Sequence, residues 1–250
     1  MAPLVTLIGS PVSPYVRKVL AACVLKGIPV ELDPISPMMG NEDFERISPL
    51  RRVPVWIEGD LTLCDSSVIV QYIEETRPGP SLWPADAAQR ARARWLEEFA
   101  DTRLFDVLGW RLFFQVALKP RFFGTEADAE VVEKARDVEA PQIFDYLESQ
   151  MPETGFLFGD LSMADLSLAP AFANAGAVQV NVDASRWPRL AAWLERMEVE
   201  TPLGPLNQLA RTLMRTPLQA HRDRLPEFGF VAATRSWAGE GFRRGPMTPD

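Results

Sequence analysis

The sequence contains little histidine and little cysteine. Its 250 residues include one histidine, His221, and two cysteines, Cys23 and Cys64. A histidine-rich zinc site or a nucleophile–histidine relay would depend on His221 alone. That residue lies in a run of charged residues near the C-terminus, where we expect it to be solvated. The cysteines form no Cys-x-x-Cys pair and are too few for a disulfide framework.

Long apolar runs, phosphate-binding loops and excess positive charge are also lacking. No apolar run approaches the ~20 residues needed to cross a bilayer, and the N-terminal run lacks the basic residues of a secretory signal. The net charge is −8, which argues against a nucleic-acid surface. Neither G-x-G-x-x-G nor G-x-x-x-x-G-K-[ST] occurs. We therefore expect a cytoplasmic protein that binds neither membrane nor nucleic acid.

The first eighty residues alternate between strand and helix patterns. A strand over 4–8 precedes apolar residues at helical spacing, and Ser13-Pro14 and Gly27 are typical of the start and end of that helix. A second strand covers 28–32, and residues 33–50 suggest a loop with a short helix. Two apolar runs around Gly59-Asp60 predict a hairpin, followed by a helix that Asp65 or Ser66 caps. This half is predicted to be βαβ followed by ββα.

A proline-rich break over 77–84 marks the best domain boundary, and the sequence after it is helical. The patterns predict helices over 86–118, with a kink near Gly109, and over 126–151. Further helices begin at the capping box Ser162–Asp165 and at Pro188, and another carries three leucines over 206–213. Residues 218–250 are expected to form a tail or flap that could cover the mouth of a pocket.

Five local motifs, which follow one another along the chain, resemble those of the soluble glutathione transferases. The resemblance covers about residues 4–200. It implies a thioredoxin-like glutathione-binding domain over 1–79, an all-helical domain over 86–217 and a C-terminal tail or flap over 218–250. The motifs are Ser13-Pro14-Tyr15-Val16-Arg17-Lys18, Arg52-Val53-Pro54-Val55, Asp65-Ser66-Ser67, Phe156–Asp160 with Ser162–Leu166, and Trp187-Pro188-Arg189-Leu190 before Trp193.

The resemblance also implies where glutathione binds. A cis Val53–Pro54 bond would let the Val53 backbone pair with the tripeptide as an added strand does. Asp65 and Ser66 would hold the γ-glutamyl end, since a helix N-terminus favours a carboxylate. Arg52 would pair with the glycyl carboxylate, although Arg51 is an alternative. A trans proline, plain helix capping and a solvated arginine pair are the structural alternatives.

Ser13 occupies the position where redox members of this family carry a cysteine. With Ser13 and Val16 at the two sulfur positions of C-P-Y-C, dithiol exchange is excluded. A hydroxyl can instead donate a hydrogen bond to a thiolate brought by the substrate. Ser10 and Tyr15 are the other nearby hydroxyls, and a plain N-cap is the structural alternative for Ser13.

The sequence therefore predicts a serine-type bacterial glutathione transferase. It would use glutathione as co-substrate, without a metal, to attack hydrophobic electrophiles or to reduce peroxides. Val12, Trp110 and Phe114 are the candidates for the electrophile pocket. A homodimer is expected from the resemblance. The alternative is a non-catalytic glutathione- or ligand-binding regulatory protein on the same fold, while Ser13 argues against a thiol oxidoreductase.

Overall fold

The computed structural model describes residues 5–246 and residue 248. By internal contacts the chain forms two compact units. One combines the residues up to Pro80 with those from Pro205 onward, and the other is Ser81–Gly204. Leu4 of the predicted strand and the outermost ends of the segments 1–79 and 218–250 lie outside the described residues. The division into 1–79, 86–217 and 218–250 stays a prediction, because grouping by contact does not show which segments fold independently.

The first unit contains the predicted βαβ and ββα motifs. Strands β1 and β2 pair in parallel, and β3 and β4 form an antiparallel hairpin whose first strand pairs with β1. A single 3₁₀ turn, Pro37–Met39, precedes the short second helix. The fold class predicted from the sequence is confirmed. The elements are β1 Val5–Ile8, α1 Pro14–Lys26, β2 Val30–Asp33, α2 Glu42–Ile47, β3 Val55–Glu58, β4 Leu61–Cys64 and α3 Ser66–Thr76.

The second unit consists of helices. Helix α4 continues through a π-helical stretch, Ala100–Leu118, into α5, and α6 continues through Ala135–Glu139 into α7. The predicted helix over 86–118 therefore extends to Phe123. No helix of the described residues is long and apolar enough to span a membrane. The elements are α4 Ala87–Phe99, α5 Lys119–Phe123, α6 Ala129–Lys134, α7 Ala140–Gln150, α8 Met163–Ala177 and α9 Pro188–Val199, followed by α10 Leu203–Met214, which crosses into the first unit.

The capping box before α8 is present and does more than cap the helix. One oxygen of Asp165 accepts hydrogen bonds from the Ser162 amide (3.0 Å) and hydroxyl (2.7 Å). The other accepts from the Leu157 amide (3.0 Å) and the Trp193 indole (2.9 Å). Burial raises the pKa of the Asp165 carboxyl, while these hydrogen bonds act in the opposite direction. One side chain thus joins the start of α8, the preceding turn and α9.

The C-terminal residues return to the first unit and add a fifth strand. After α11, His221–Arg224, strand β5, Val231–Ala232, pairs in parallel with β2, which gives the sheet order β4-β3-β1-β2-β5. Two residues are too short a strand for its alternating pattern to be recognised.

The expectation that His221 is solvated is wrong. The residue is 3 % exposed, and its Nε2 lies 3.2 Å from the Thr216 carbonyl oxygen. It shares one helix face with Leu225, four residues later, which is also buried. The charged neighbours Arg222 and Asp223 lie on the other faces of that turn.

Candidate functional site

The candidate residues of the first unit leave the sheet at one edge. In the register of the sheet, Ile8 pairs with Asp33 of β2 and with Val55 of β3, and Val55 pairs with Cys64 of β4. Strands β1, β2 and β4 end in this row, and β3 begins there. The loop with Ser13, the segment 34–52, the Val53–Pro54 bond and the Asp65–Ser66 pair therefore all start from the same edge. The structure brings these predicted site elements together.

The loop after β1 is tightly held. Gly9 has φ +142°, and a Cβ atom there would lie 2.6 Å from Val16 Cγ2 and 2.8 Å from Val53 Cβ. Only glycine fits this passage. The Gly9 amide donates to the Asp33 carbonyl and the Ser10 amide to the Ile35 carbonyl, both at 2.8 Å. The backbone at the end of β2 and just beyond it thus fixes the loop that leads to Ser13.

Ser13 lies at the N-cap position of α1 with an extended backbone, φ −70° and ψ 126°. Within the described residues its hydroxyl makes no capping hydrogen bond, and the first turn of α1 carries no acidic residue. The hydroxyl and the positive end of the helix dipole are therefore both available to an anion. The Ser10 hydroxyl, in contrast, is buried and accepts a hydrogen bond from the Val12 amide at 3.3 Å. This difference favours Ser13 over Ser10.

The two arginines before the cis Val53–Pro54 bond have different environments. Arg51 is 5 % exposed, and its guanidinium donates to Glu45 (3.2 Å) and to the Gly40 carbonyl (2.8 Å). Arg52 is exposed and is held only through its backbone, which bonds the Ser48 hydroxyl; its side chain has no polar contact with another described residue. Arg51 is therefore part of the scaffold, and Arg52 is the arginine that a ligand can reach.

Asp65 caps α3 and adopts an unusual backbone conformation. Its Oδ1 accepts hydrogen bonds from the amides of Ser67 (2.9 Å) and Val68 (3.3 Å). Its φ is +79°, a conformation that costs about 1–3 kcal/mol for a residue with a Cβ atom and that clusters at functional sites. Asp65 is exposed, whereas Ser66 is 3 % exposed. Capping therefore accounts for one carboxylate oxygen and leaves the other available to a ligand.

A buried lysine links the N-terminal halves of α1 and α3. Lys18 Nζ donates to Ser67 Oγ at 3.0 Å. Lys18 is the fifth residue of α1, and Ser67 is the second residue of α3. This contact fixes the start of α3, with Asp65 and Ser66, beside the helix that Ser13 begins.

Neither cysteine is suited to supply a thiolate. Burial raises the pKa of Cys23 to about 12. Burial also raises the pKa of Cys64, whose Sγ donates to the Ile47 carbonyl oxygen at 2.9 Å. Because the thiolate is the reactive form of cysteine, the raised pKa lowers the reactivity of both thiols at neutral pH. This favours a ligand as the source of a sulfur nucleophile at this edge of the sheet.

The candidates for an electrophile pocket lie in both units. Val12 is half-buried in the loop of the first unit. In the second unit, the rings of Trp110 and Phe114 meet edge to face at 5.4 Å. Phe114 is 1 % exposed, which favours a core role, and Trp110 is half-buried. That these residues line one pocket stays a prediction.

Asp33, which ends β2 in the shared row, is not among the site residues that the sequence predicted. Its buried carboxylate bonds Arg222, Ser236 and the Trp237 amide. These partners lie about two hundred residues further along the chain, so no short motif records the contact. The only local signal is an acidic residue at the end of an apolar strand.

Comparisons with known proteins show which family this chain resembles. Residues 7–81 match the family model "Glutathione S-transferase, N-terminal domain", and residues 129–196 match "Glutathione S-transferase, C-terminal domain". A glutathione S-transferase of Hyoscyamus muticus is 30% identical over 74% of this chain and 89% of its own length. Glutathione S-transferase 3 of Zea mays is 32% identical over 78% and 89%. The crystal structure of a glutathione S-transferase from Rhodospirillum rubrum superimposes with a TM-score of 0.73 at 27% identity, covering 81% of this chain and 91% of that one.

Proposed function

The chain belongs to the glutathione S-transferase family, and from that premise we propose that Ser13 activates the thiol of glutathione. The activity of this chain is that of a glutathione transferase. The role of Ser13 is supported by one observation: the Ser13 loop, the segment 34–52, the Val53–Pro54 bond and the Asp65–Ser66 pair start from the same edge of the sheet. At that edge the Ser13 hydroxyl is the one that no capping bond within the described residues occupies. Ser13 also suggests a serine-type, bacterial-like subgroup.

The proposed mechanism stabilises the ionised sulfur of the substrate. An ordinary thiol with a pKa near ~8.5 is mostly protonated at neutral pH, and each unit of pKa lowering needs about 1.4 kcal/mol of preferential binding of the thiolate. The Ser13 hydroxyl donates to the sulfur, and the N-terminus of α1 adds its positive potential. The thiol releases its proton to solvent. The thiolate then forms a C–S bond with an electrophilic carbon, and the leaving group departs with the bonding electron pair. Peroxide reduction would begin from the same thiolate.

The remaining contacts orient the tripeptide along the edge of the sheet. The backbone of Val53, ahead of the cis proline, pairs with the peptide groups of glutathione. The exposed guanidinium of Arg52 holds the glycyl carboxylate. Asp65 and Ser66, at the start of α3, hold the γ-glutamyl group, with the carboxylate at the helix N-terminus. The environments of Arg52 and Asp65 support these assignments.

The test of this function is the absorbance of the glutathione thiolate on the purified protein as a function of pH. We expect saturable binding to immobilised glutathione, a bound thiol that titrates below ~8.5, and conjugation to an aromatic halide. Binding without a shift in the thiol pKa would instead indicate the alternative, a non-catalytic binding or regulatory protein. The absence of binding would remove glutathione from the function of this chain.

Arg52→Leu is expected to raise the KM for glutathione about tenfold, because a charge-assisted hydrogen bond contributes about 1.5–3 kcal/mol. Its free energy of unfolding should change by no more than about 0.5 kcal/mol, since the side chain is exposed. Arg51→Leu is the matched control. It should mainly destabilise the fold, because it removes the buried bond to the Gly40 carbonyl and the ion pair with Glu45. Steady-state kinetics and urea denaturation separate the two effects, and an unchanged KM for Arg52→Leu would contradict the assignment.

The rest of the proposed function extends the same premise. We place the enzyme in the cytoplasm as a homodimer. Its second substrate is a small hydrophobic electrophile, and Val12, Trp110 and Phe114 are the candidates to contact it. Of the three, Trp110 and Val12 have the exposed surface that such a contact needs.

A further inference from the structure

The C-terminal segment, defined here as residues 231–243, runs along the part of the first unit that carries the candidate site. Strand β5 pairs with β2, and the Ala233 amide donates to the Leu32 carbonyl at 3.0 Å. Further on, the Gly239 amide donates to the Met39 carbonyl at 2.6 Å, and the Arg243 amide donates to the Met38 carbonyl at 2.8 Å. The segment therefore follows β2 and then the chain that leads from β2 to α2.

Asp33 joins this segment to the edge of the sheet. One oxygen of its fully buried carboxylate accepts from Arg222 Nη1 at 2.7 Å, and the other accepts from the Trp237 amide at 2.8 Å. The Ser236 hydroxyl bonds the same carboxylate at 3.0 Å. Arg222 also donates to the carbonyl of Ala233. A buried carboxylate left without its partners is costly, so these contacts hold the segment and Asp33 together.

The backbone of Asp33 faces the opposite way, toward the candidate site. Its carbonyl oxygen accepts the Gly9 amide at 2.8 Å, and two residues later the Ile35 carbonyl accepts the Ser10 amide at the same distance. These bonds fix the loop that ends in Ser13. Asp33 thus contacts the C-terminal segment through its side chain and the Ser13 loop through its backbone.

Basic residues of the C-terminal segment add to the ion pairs of α2, the helix that precedes Arg52, in which Asp43 also pairs with Arg46 and Glu45 with Arg51. Arg235 pairs with Asp43 at 2.6 Å. Arg243 lies 3.6 Å from Glu42 and 3.7 Å from Glu45. Glutathione carries two carboxylates, so an unneutralised acidic helix beside its site would repel it. The segment therefore lowers the negative charge beside the proposed site of an anionic ligand, in addition to fixing the loop.

We propose that Asp33 is a positioning residue of the glutathione site, through which the C-terminal segment fixes the Ser13 loop and the segment 34–52 that carries Arg52. This inference rests on the proposed function. Asp33 does not touch the substrate. Its carbonyl holds the Gly9 amide, and the Ile35 carbonyl two residues later holds the Ser10 amide. The Asp33 carboxylate is itself held by Arg222, Ser236 and the backbone of Trp237.

The test compares Arg222→Leu with Arg224→Leu. Arg224 lies two residues further on and pairs with Glu227 at 2.9 Å rather than with Asp33, so its replacement is a matched control for charge and helix position. Arg222→Leu is expected to raise the pKa of bound glutathione by about 0.5 unit or more and its KM about tenfold, the scale of one charge-assisted hydrogen bond. Hydrogen exchange at Gly9, at Ser10 and over 34–47 should accelerate. Arg224→Leu should retain wild-type values, and Arg222→Lys should restore part of the loss.

Two further outcomes decide the proposal. A folded Arg222→Leu protein with the wild-type thiol pKa and KM overturns it, even if its hydrogen exchange is faster. If Arg222→Leu does not fold, Ser236→Ala decides by the same measurements, with an expected rise in KM of about twofold from one lost hydrogen bond. A wild-type protein that binds no glutathione overturns the proposed function itself. Because that failure is seen with the wild type, before any variant is made, it is distinguishable from a failure of the proposal on Asp33.

Discussion

Ser13→Ala is expected to return the pKa of bound glutathione toward ~8.5 and to lower kcat/KM at neutral pH about a hundredfold, the usual effect of removing one donor from a developing or bound anion. The variant loses the hydroxyl that no first-turn amide occupies. The KM for glutathione should change little, because Arg52, Val53 and Asp65 still hold the tripeptide. The measurement is thiolate absorbance and steady-state kinetics over a range of pH.

The effect of Ser13→Ala on activity should depend on pH. Activity of the wild type should rise through the lowered thiol pKa and level off, whereas activity of the variant should rise through a higher pKa. The two rates therefore converge at alkaline pH, where the thiol ionises without assistance. Ser10→Ala is the control, since that hydroxyl already serves the Val12 amide, and it should leave the thiol pKa unchanged. The reverse pattern would assign the role to Ser10.

Asp165→Ala is expected to lower the free energy of unfolding by about 3–5 kcal/mol, because it leaves several buried donors unsatisfied at about 1–3 kcal/mol each. This is a large share of the ~5–15 kcal/mol that stabilises a typical domain. The carboxylate serves four donors, from Ser162 (two), Leu157 and Trp193. Urea denaturation followed by tryptophan fluorescence measures the loss.

Two matched variants test the same network. Ser162→Ala removes the hydroxyl that donates to Asp165 and caps α8, and it should cost about 1 kcal/mol. The loss of stability in Asp165→Asn should lie between those of Asp165→Ala and Ser162→Ala. Its amide oxygen can still accept from one group of donors, while its NH₂ would face the other group, either Ser162 or Leu157 with Trp193. An Asp165→Ala protein as stable as Ser162→Ala would show that the four contacts contribute no more than one.

The elements that the sequence predicted are those with short-range signals. Helix α1 follows from Ser13-Pro14 at its start, Gly27 at its end and apolar residues at helical spacing between them, and the structure has it over Pro14–Lys26. The hairpin follows from two apolar runs around Gly59-Asp60. The cis Val53–Pro54 bond followed from a motif rather than from local physics. Each of these depends on residues within a few positions of one another.

The features that the sequence did not predict depend on distant contacts. Strand β5 is short and exists because β2 offers an edge to pair with. The choice between Arg51 and Arg52 required the position of Glu45 and of the Gly40 carbonyl. Whether Ser13 or Ser10 has an unengaged hydroxyl depended on the turn geometry of the loop. Within each pair, the two arginines or the two serines are distinguished by their three-dimensional surroundings.

The pairing of β5 with β2 has a consequence for synthesis on the ribosome. Strand β2 ends at Asp33, and its outer partner begins at Val231. At about 5–20 residues per second, the ribosome takes on the order of ten to forty seconds to bridge that interval. During this time the outer edge of β2 has open hydrogen-bonding groups that can pair with another nascent chain. The synthesis of Val231–Ala232 therefore ends the period in which the outer edge of β2 is exposed to aggregation.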